Sequence, residues 1–124
     1  MRRFHEARTI DEAFAALADA FAEISERAYG IYAVVHRAAD SDPQIAILER
    51  DLDNQRWTGV GHLALTTADL LQVADPDDLQ HIRDTLWVLG SPLQYGLLVH
   101  DRGWGKQGYR DWMVRALTAM VPPA

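Results

Sequence analysis

Three prolines, each preceded by an aspartate or a serine, constrain the fold of this chain more than any other feature. The pairs are Asp42-Pro43, Asp75-Pro76 and Ser91-Pro92. The aspartate or serine side chain can cap the first turn of a helix, and proline is favoured at the first helical position because an N–H group would have no helical partner there. The first two pairs therefore predict helix starts, and the third predicts the restart or bend of a helix.

The segments between these pairs have apolar residues at three- and four-residue steps, which is typical of helices with one buried face. Thr9 and Glu12 form a capping box before the first helix, a second helical segment covers residues 27–39, and Gly30 leaves their junction uncertain. The later predicted segments are a long helix from Pro43 to about Leu71, a helix from Pro76 through Leu89, a segment from Leu93 to His100, and a last helix that contains Tyr109 and stops at Pro122-Pro123. No segment alternates with period two between hairpin turns, so we expect an all-α bundle of five to six helices.

Composition limits both the architecture and the partners. No linker or low-complexity tract divides the 124 residues, so we expect one domain, residues 1–124. Cysteine is absent, which excludes disulfides and thiolate metal sites. A net charge of -6 disfavours unaided binding to DNA or to an anionic membrane. No apolar run reaches the ~18 residues of a spanning helix or forms a signal-peptide core, so the expected location is the cytoplasm, without membrane contact.

Two motifs resemble ligand-binding loops, but their contexts argue against that role. Residues 103–108 match the dinucleotide fingerprint G-x-G-x-x-G, yet they follow a predicted helix instead of a strand, and we interpret them as a turn between helices. Residues 51–56 begin like a calcium loop, but Arg56 replaces the required glycine. The histidines are never three or four residues apart, and no serine lies in a nucleophile-elbow sequence. We therefore expect neither enzymatic activity nor a metal or other cofactor.

Polar and aromatic residues within otherwise apolar helix faces predict a pocket. One such row lies within residues 29–36 and another within residues 55–66, and facing rows of this kind supply apolar walls, orienting polar groups and space. The alternative is structural: the tyrosine hydroxyls reach solvent, and His62 forms a hydrogen bond with a carbonyl group. The expected ligand is small and largely apolar, and the predicted ligand-binding residues are Phe21, Tyr29, Tyr32, His36, Gln55, Gly59, His62, Leu86 and Trp87.

The end of the chain has apolar residues over more than one narrow helix face. Two helices with wide apolar arcs predict a symmetric contact between two copies of the chain. The alternative is that both helices are central elements of the core. The predicted interface residues are Tyr95, Leu98, Val99, Tyr109, Trp112, Met113, Leu117 and Met120.

Residues 85–121 resemble the end of the tetracycline-repressor (TetR) family of bacterial transcription regulators. The shared pattern is a leucine-tryptophan helix, a Ser-Pro pair, a tyrosine with paired apolar residues, an acidic-Arg-Gly-Trp turn and a last helix with Tyr and Trp. The residues that carry it are Leu86, Trp87, Ser91, Pro92, Tyr95, Leu97, Leu98, Asp101, Arg102, Gly103, Trp104, Tyr109 and Trp112. Residues 33–64 are similar to the middle of that family's regulatory domain, so the resemblance covers most of the chain.

The resemblance implies an effector-binding and dimerisation domain with a cavity among its middle helices and a two-fold interface built by its last two. The expected partners are a second copy of the chain and a small-molecule effector. Only eight residues precede Thr9, so we expect DNA contact only through an N-terminal helix-turn-helix domain that this chain lacks, whether it is a truncated regulator or a stand-alone domain. Gly105-Lys106 replaces the Ser-Pro of relatives, which weakens the start of the last helix. The alternative function is a stand-alone helical homodimer that acts as a protein-interaction module without a ligand.

Overall fold

The computed structural model describes residues 1–121, which form helices joined by short turns. The helices are α1 (Arg2–His5), α2 (Ile10–Ala38), α3 (Pro43–Leu71), α4 (Pro76–Leu89), α5 (Pro92–Tyr95) and α6 (Lys106–Thr118), and a π-helical segment (Gly96–Asp101) continues α5. No residue in this described range lies in a β-strand. The predicted all-α class is therefore confirmed.

The predicted helix caps are formed. Asp42, Asp75 and Ser91 each accept a hydrogen bond from the backbone N–H group two residues later, at 3.0, 2.8 and 3.3 Å. The Thr9 hydroxyl accepts one from the N–H group of Glu12 at 3.2 Å. Because each cap satisfies an N–H group that has no partner within the helix, the four side chains fix the starts of α2, α3, α4 and α5.

α2 continues without a break through Gly30, where the sequence left the junction between two helical segments uncertain. A glycine in a helix interior costs about 1 kcal/mol, and neither a proline nor a cap adds to that cost here. At 29 residues, α2 is about 43 Å long for a rise of 1.5 Å per residue. α3 also has 29 residues, and the short turn of residues 39–42 folds the two helices back against each other.

The hydrophobic core surrounds the N-terminal part of α2, residues 10–25. This part packs against α1 and α6, and side chains from α3 and α4 complete the core. We call this region the packed end. Its completely buried large apolar side chains are Phe4, Phe14, Leu17, Leu86, Tyr109, Met113 and Leu117.

The rest of α2 and the start of α3 form an antiparallel pair, the hairpin arm, made of residues 27–38 and 43–56. Within these two ranges Val35 is the only buried residue. Ile31 and Val34 are 67% and 63% exposed. The arm therefore leaves the core while keeping apolar residues on its surface.

The segment after Ser91-Pro92 is helical, as predicted, but its second part has the wider turn of a π-helix. The Tyr29 ring packs against Gly96 so closely that a Cβ atom on this glycine would overlap the ring. Gly103 has φ +75°, a backbone conformation that favours glycine, and the predicted turn between helices is confirmed there.

The last helix begins without a side-chain cap, because Gly105 occupies the position before its first residue. It ends at Thr118, and Met120 lies in the turn that follows. The predicted stop at Pro122-Pro123 lies outside the described residues. A glycine cap costs little relative to serine, so the helix forms despite the difference from the Ser-Pro pattern.

Candidate ligand-binding site

Two adjoining clefts open where the hairpin arm leaves the packed end, between α2, α3 and the junction of α4 with α5. The first, which we call the apolar cleft, has a volume of about 310 Å³. Its walls are mainly Phe21, Ile24, Tyr32, Leu52, Gln55, Arg56, Gly59, Val60, Leu63, Gly90 and Pro92. Apolar side chains predominate, and few polar groups interrupt them.

The second, which we call the acidic cleft, has a volume of about 400 Å³. Its walls are Tyr32, His36, Glu49, Asp53, Arg56, Trp87, Val88, Ser91, Leu93, Gln94 and Leu97. Tyr32 and Arg56 line both clefts and therefore form the wall between them. Both volumes lie within the range of about 300–1,000 Å³ that small-molecule pockets occupy.

Helical spacing explains how α3 supplies both clefts. Leu52 and Gly59 are two turns apart on one side of α3, so both reach the apolar cleft. Glu49 and Asp53 are one turn apart on the adjoining side and reach the acidic cleft. Arg56 lies between these two sides. A single helix thus provides an apolar wall and an acidic wall that meet at one arginine.

Arg56 contacts α4 through both its charge and its hydrogen-bond donors. The guanidinium carbon lies 3.6 Å from the ring centre of Trp87, and Nη1 donates a hydrogen bond to the Trp87 carbonyl oxygen at 2.8 Å. This oxygen lies in the last turn of α4, where carbonyl groups lack helical partners and a cation is favoured. Arg56 therefore caps α4 while lining both clefts.

A second arginine makes the same two contacts in the opposite direction. Arg83 of α4 lies 3.8 Å from the ring centre of Trp57 of α3, and its Nη2 donates to the Trp57 carbonyl oxygen at 2.9 Å. Gly61 leaves room for it, because a Cβ atom there would lie 2.9 Å from the guanidinium. The indole rings of Trp57 and Trp87 meet edge to face at 5.5 Å. These Arg–Trp pairs fasten α3 to α4 beside the clefts.

The acidic cleft contains two carboxylates and one guanidinium. Burial raises the pKa of Asp53 above its ordinary value, and the nearby Glu49 carboxylate raises it further, although Arg56 opposes both effects. Glu49 itself forms a hydrogen bond with Nδ1 of His36 at 2.8 Å. Burial also lowers the pKa of the Arg56 guanidinium, which remains charged. Burial and Glu49 thus raise the pKa of Asp53 more than Arg56 and His36 lower it.

Most of the predicted ligand-binding residues line the two clefts. The apolar cleft contains Phe21, Gln55 and Gly59, the acidic cleft contains His36 and Trp87, and Tyr32 belongs to both. The sequence predicted a single cavity between facing rows, whereas the structure has two clefts separated by Tyr32 and Arg56.

The other three predicted residues lie elsewhere. Leu86 is completely buried in the core, because it faces inward from α4. His62 follows Gly59 by three residues on α3, so it turns toward α4 and lines a different cleft with Arg83. Tyr29 lines a further cleft with His36 and stacks on the ring of His100 at 4.2 Å. These three residues therefore lie outside the two clefts, and the ligand-binding role of all nine predicted residues stays a prediction.

Sequence reasoning missed Glu49, Asp53 and Arg56 as a group. Their spacing of four and three residues is the signal for one helix face. The prediction concentrated on polar residues within apolar faces and considered Asp53 and Arg56 only as parts of a calcium loop that Arg56 excludes. The structure places these three where α3 is only partly covered, so their side chains line a cleft.

Half of the predicted interface residues belong to the core of a single chain. Tyr109, Met113 and Leu117 are completely buried, and Tyr95 is 5% exposed, so these four side chains are not available to a partner surface. Their positions agree with the alternative, in which these helices belong to the core, and the homodimer stays a prediction. The reason is that α6 packs on α2 and uses its apolar stripe there. The predicted interface residues that stay partly exposed are Leu98, Val99, Trp112 and Met120.

The outward face of α6 is polar. Its exposed residues include Gln107, Asp111, Arg115 and Thr118. Large exposed apolar side chains lie on the hairpin arm, at Ile31, Val34, Ile47 and Leu48, and on the rim of the acidic cleft, at Val88 and Leu97; the others are Met1, Ile24, Leu65 and Val121. The apolar surface of the described chain is therefore concentrated away from α6.

Comparison with known proteins adds no relative: no family model, curated protein or solved structure matches the chain. In the part of the chain that the structure describes, every helix is too short or too polar to cross a membrane. Within the same residues, no three histidine or acidic side chains cluster as they would around a metal ion.

Proposed function

We propose that this chain is the effector-binding and dimerisation domain of a TetR-family transcription regulator and that it senses a small, largely apolar ligand in the apolar cleft. The observation that supports this proposal most directly is that the apolar cleft is lined by four predicted ligand-binding residues, Phe21, Tyr32, Gln55 and Gly59. A pocket with apolar walls and a few polar groups is the usual form of a small-molecule site. The resemblance of residues 85–121 to the TetR family supports the regulatory role.

The position of the cleft supports a mechanism for signalling. A ligand in the apolar cleft would contact α2, α3 and the α4–α5 junction at Gly90 and Pro92 together. If the ligand binds one spacing of these helices better than another, it shifts the population toward that spacing. Arg56 lines the cleft and caps α4, so a change at the ligand is transmitted to α4 through an existing contact. In a regulator, DNA-binding domains attached to each copy would sense that change as altered spacing.

A variant whose side chain fills the apolar cleft tests the ligand-binding proposal. The position of a Cβ atom on Gly59 is free of neighbours within 4 Å, so Gly59→Phe places a ring at the cleft without a clash at its first atom. Gly108 is equally open and lies on α6, away from the cleft, so Gly108→Phe is the matched control. Both variants replace a helical glycine with a better helix former, and both should fold.

The measurement is a thermal-shift screen with neutral apolar fragments. A fragment present at 100 times its Kd stabilises a protein by about 2.7 kcal/mol, which gives a readable shift in Tm. We expect such shifts in the wild type and in Gly108→Phe, and their loss in Gly59→Phe. Shifts of equal size in all three proteins would place the ligand elsewhere and contradict the proposal.

A second function, a homodimer that acts as an interaction module, is favoured by the exposed apolar residues of the hairpin arm. Ile31 and Val34 are one turn apart and mostly exposed, which is unusual for a surface without a partner. The module would need no ligand. Light scattering measures the molar mass of the double variant Ile31→Ser/Val34→Ser and, for comparison, of Trp112→Ser. A dimer formed through the arm should dissociate only in the double variant, and one formed through the last helices only in Trp112→Ser. A monomer at high concentration in the wild type contradicts both forms of dimer.

A further inference from the structure

We propose that the ligand is an amphiphilic amine, whose apolar chain occupies the apolar cleft and whose ammonium group lies beside Asp53 in the acidic cleft. This inference rests on the proposed function and specifies the chemistry of its ligand. The two clefts share Tyr32 and Arg56, so one molecule passing that wall would contact both.

Uncompensated negative charge is the first argument for an amine. Glu49 and Asp53 face the acidic cleft against one guanidinium, that of Arg56, and the His36 imidazole there is hydrogen-bonded to Glu49. The ion pairs of residues 1–121 do not include Asp53. A cation placed near Asp53 would gain from both carboxylates, since a partly buried pair is screened less than one in bulk water.

Arg56 offsets this charge only in part, because its direct contacts lie on α4. Its Nη1 atom donates to the Trp87 carbonyl oxygen, and its guanidinium lies over the Trp87 ring. Turning it toward Asp53 would expose the last turn of α4 and break the stacking. Consistent with this, the pKa of Asp53 is raised by burial and by Glu49 in spite of the nearby guanidinium.

Aromatic and apolar groups complete the recognition of such a ligand. The Tyr32 ring lies between the two clefts, where an ammonium group can be attracted to its face. Beyond it, Phe21 and Leu52 provide apolar walls for a chain. A ligand with a carboxylate head would meet two carboxylates at the acidic end, and a ligand with a neutral head would add no positive charge beside Asp53. The order of affinity should be amine, alcohol, carboxylate.

Three probes with eight carbon atoms each test this order of affinity on the full chain. Calorimetric titration at low salt and pH 7 would compare n-octylamine, 1-octanol and octanoate. We expect octylamine to bind about tenfold more tightly than octanol, because one charge-assisted hydrogen bond contributes about that much affinity. Octanoate should bind most weakly.

Two aspartates on the same helix separate a site effect from a general charge effect. Asp53→Asn keeps the size of the side chain, and it should remove the preference for octylamine while leaving octanol binding unchanged. Asp51→Asn removes one negative charge from an exposed residue outside the cleft walls. The Asp51→Asn variant should keep nearly the whole preference for octylamine over octanol at low salt.

The outcomes distinguish this inference from the function on which it rests. Equal binding of octylamine and octanol, both abolished by Gly59→Phe, would overturn the amine inference and leave the apolar cleft as a ligand site. A preference for octylamine that survives Asp53→Asn would also overturn it. Failure of all three probes contradicts the inference, and the neutral-fragment screen then decides separately whether the cleft binds any ligand.

Discussion

The two halves of α2 have the same helical periodicity but different surroundings. Before residue 26 the helix buries most of its apolar residues, with Ile24 as an exception, while beyond residue 26 only Val35 is buried. The apolar residues Ile31 and Val34 continue the helical spacing on the arm and remain exposed. Apolar spacing therefore identifies a helix, whereas burial depends on which other elements reach that part of it. The clefts lie where the packed end gives way to the arm.

A matched pair of leucines should give the largest difference between the two regions. Leu117 is completely buried against the core, and Leu48 on the arm is 43% exposed. We expect Leu117→Ala to lower the free energy of unfolding by about 3 kcal/mol, because it leaves a cavity. Leu48→Ala should change it by less than about 0.5 kcal/mol, as surface substitutions usually do. Urea denaturation measures both, and equal losses would remove the distinction between packed end and arm.

The joint between the two regions is expected to be sensitive at Gly96. Gly96→Ala adds a methyl group where the Tyr29 ring already lies, and overpacking of this kind costs about 1–3 kcal/mol. The double variant Gly96→Ala/Tyr29→Ala should regain part of the loss, since the clashing ring is removed. Thermal melts of the four proteins in this cycle measure the coupling. Additive losses in the double variant would contradict the contact.

Alanine substitutions at two glycines of α3, Gly59 and Gly61, should have smaller effects on stability that differ with the space around each glycine. A Cβ atom on Gly59 meets open space, so Gly59→Ala should stabilise the protein by about 0.5–1 kcal/mol through helix propensity. Gly61→Ala gains the same propensity but displaces the Arg83 guanidinium from the Trp57 carbonyl oxygen. Its net effect should be zero or negative. If both variants are stabilised equally in urea denaturation, the contact of Arg83 with α3 contributes nothing.

The smallest expected effect is a pH dependence at Asp53. Burial raises its folded pKa above the value of 3.8 that it has when exposed, so the folded chain holds this proton more tightly than the unfolded chain. The free energy of unfolding therefore falls as the pH rises from about 3.8 through the folded pKa, and the loss is complete above it. Asp53→Asn should raise Tm slightly at pH 7 and leave it unchanged below pH 3.8. A Tm lowered at pH 7 would mean that Asp53 stabilises the fold.

The helices were largely predictable because their starts depend on local chemistry. Asp42, Asp75 and Ser91 cap their own helices, and this requires no knowledge of the tertiary structure. The continuation of α2 through Gly30 was less certain, since a lone glycine weakens a helix without ending it. The π-helical segment after Tyr95 depends on packing against Tyr29, a contact that spacing within one segment does not indicate.

The candidate site was predictable only in part. Residues such as Tyr32 and Gly59 are unusual on an apolar helix face, and this local feature identified them. Arg56 acquires its role from the last turn of α4, which lies 31 residues further along the chain. The burial of Tyr109 and Leu117 likewise depends on how closely α6 packs on α2, and a wide apolar arc fits a core helix as well as an interface.

Amide hydrogen exchange, with and without n-octylamine, tests the central claim that ligands bind where the arm leaves the packed end. In the free protein we expect slow exchange in residues 10–25 and 106–118 and faster exchange in residues 27–38 and 43–56, because the arm buries little apolar surface. Octylamine should slow exchange in the arm and leave residues 106–118 unchanged. Protection that appears in residues 106–118 while the arm stays unaffected would contradict the account.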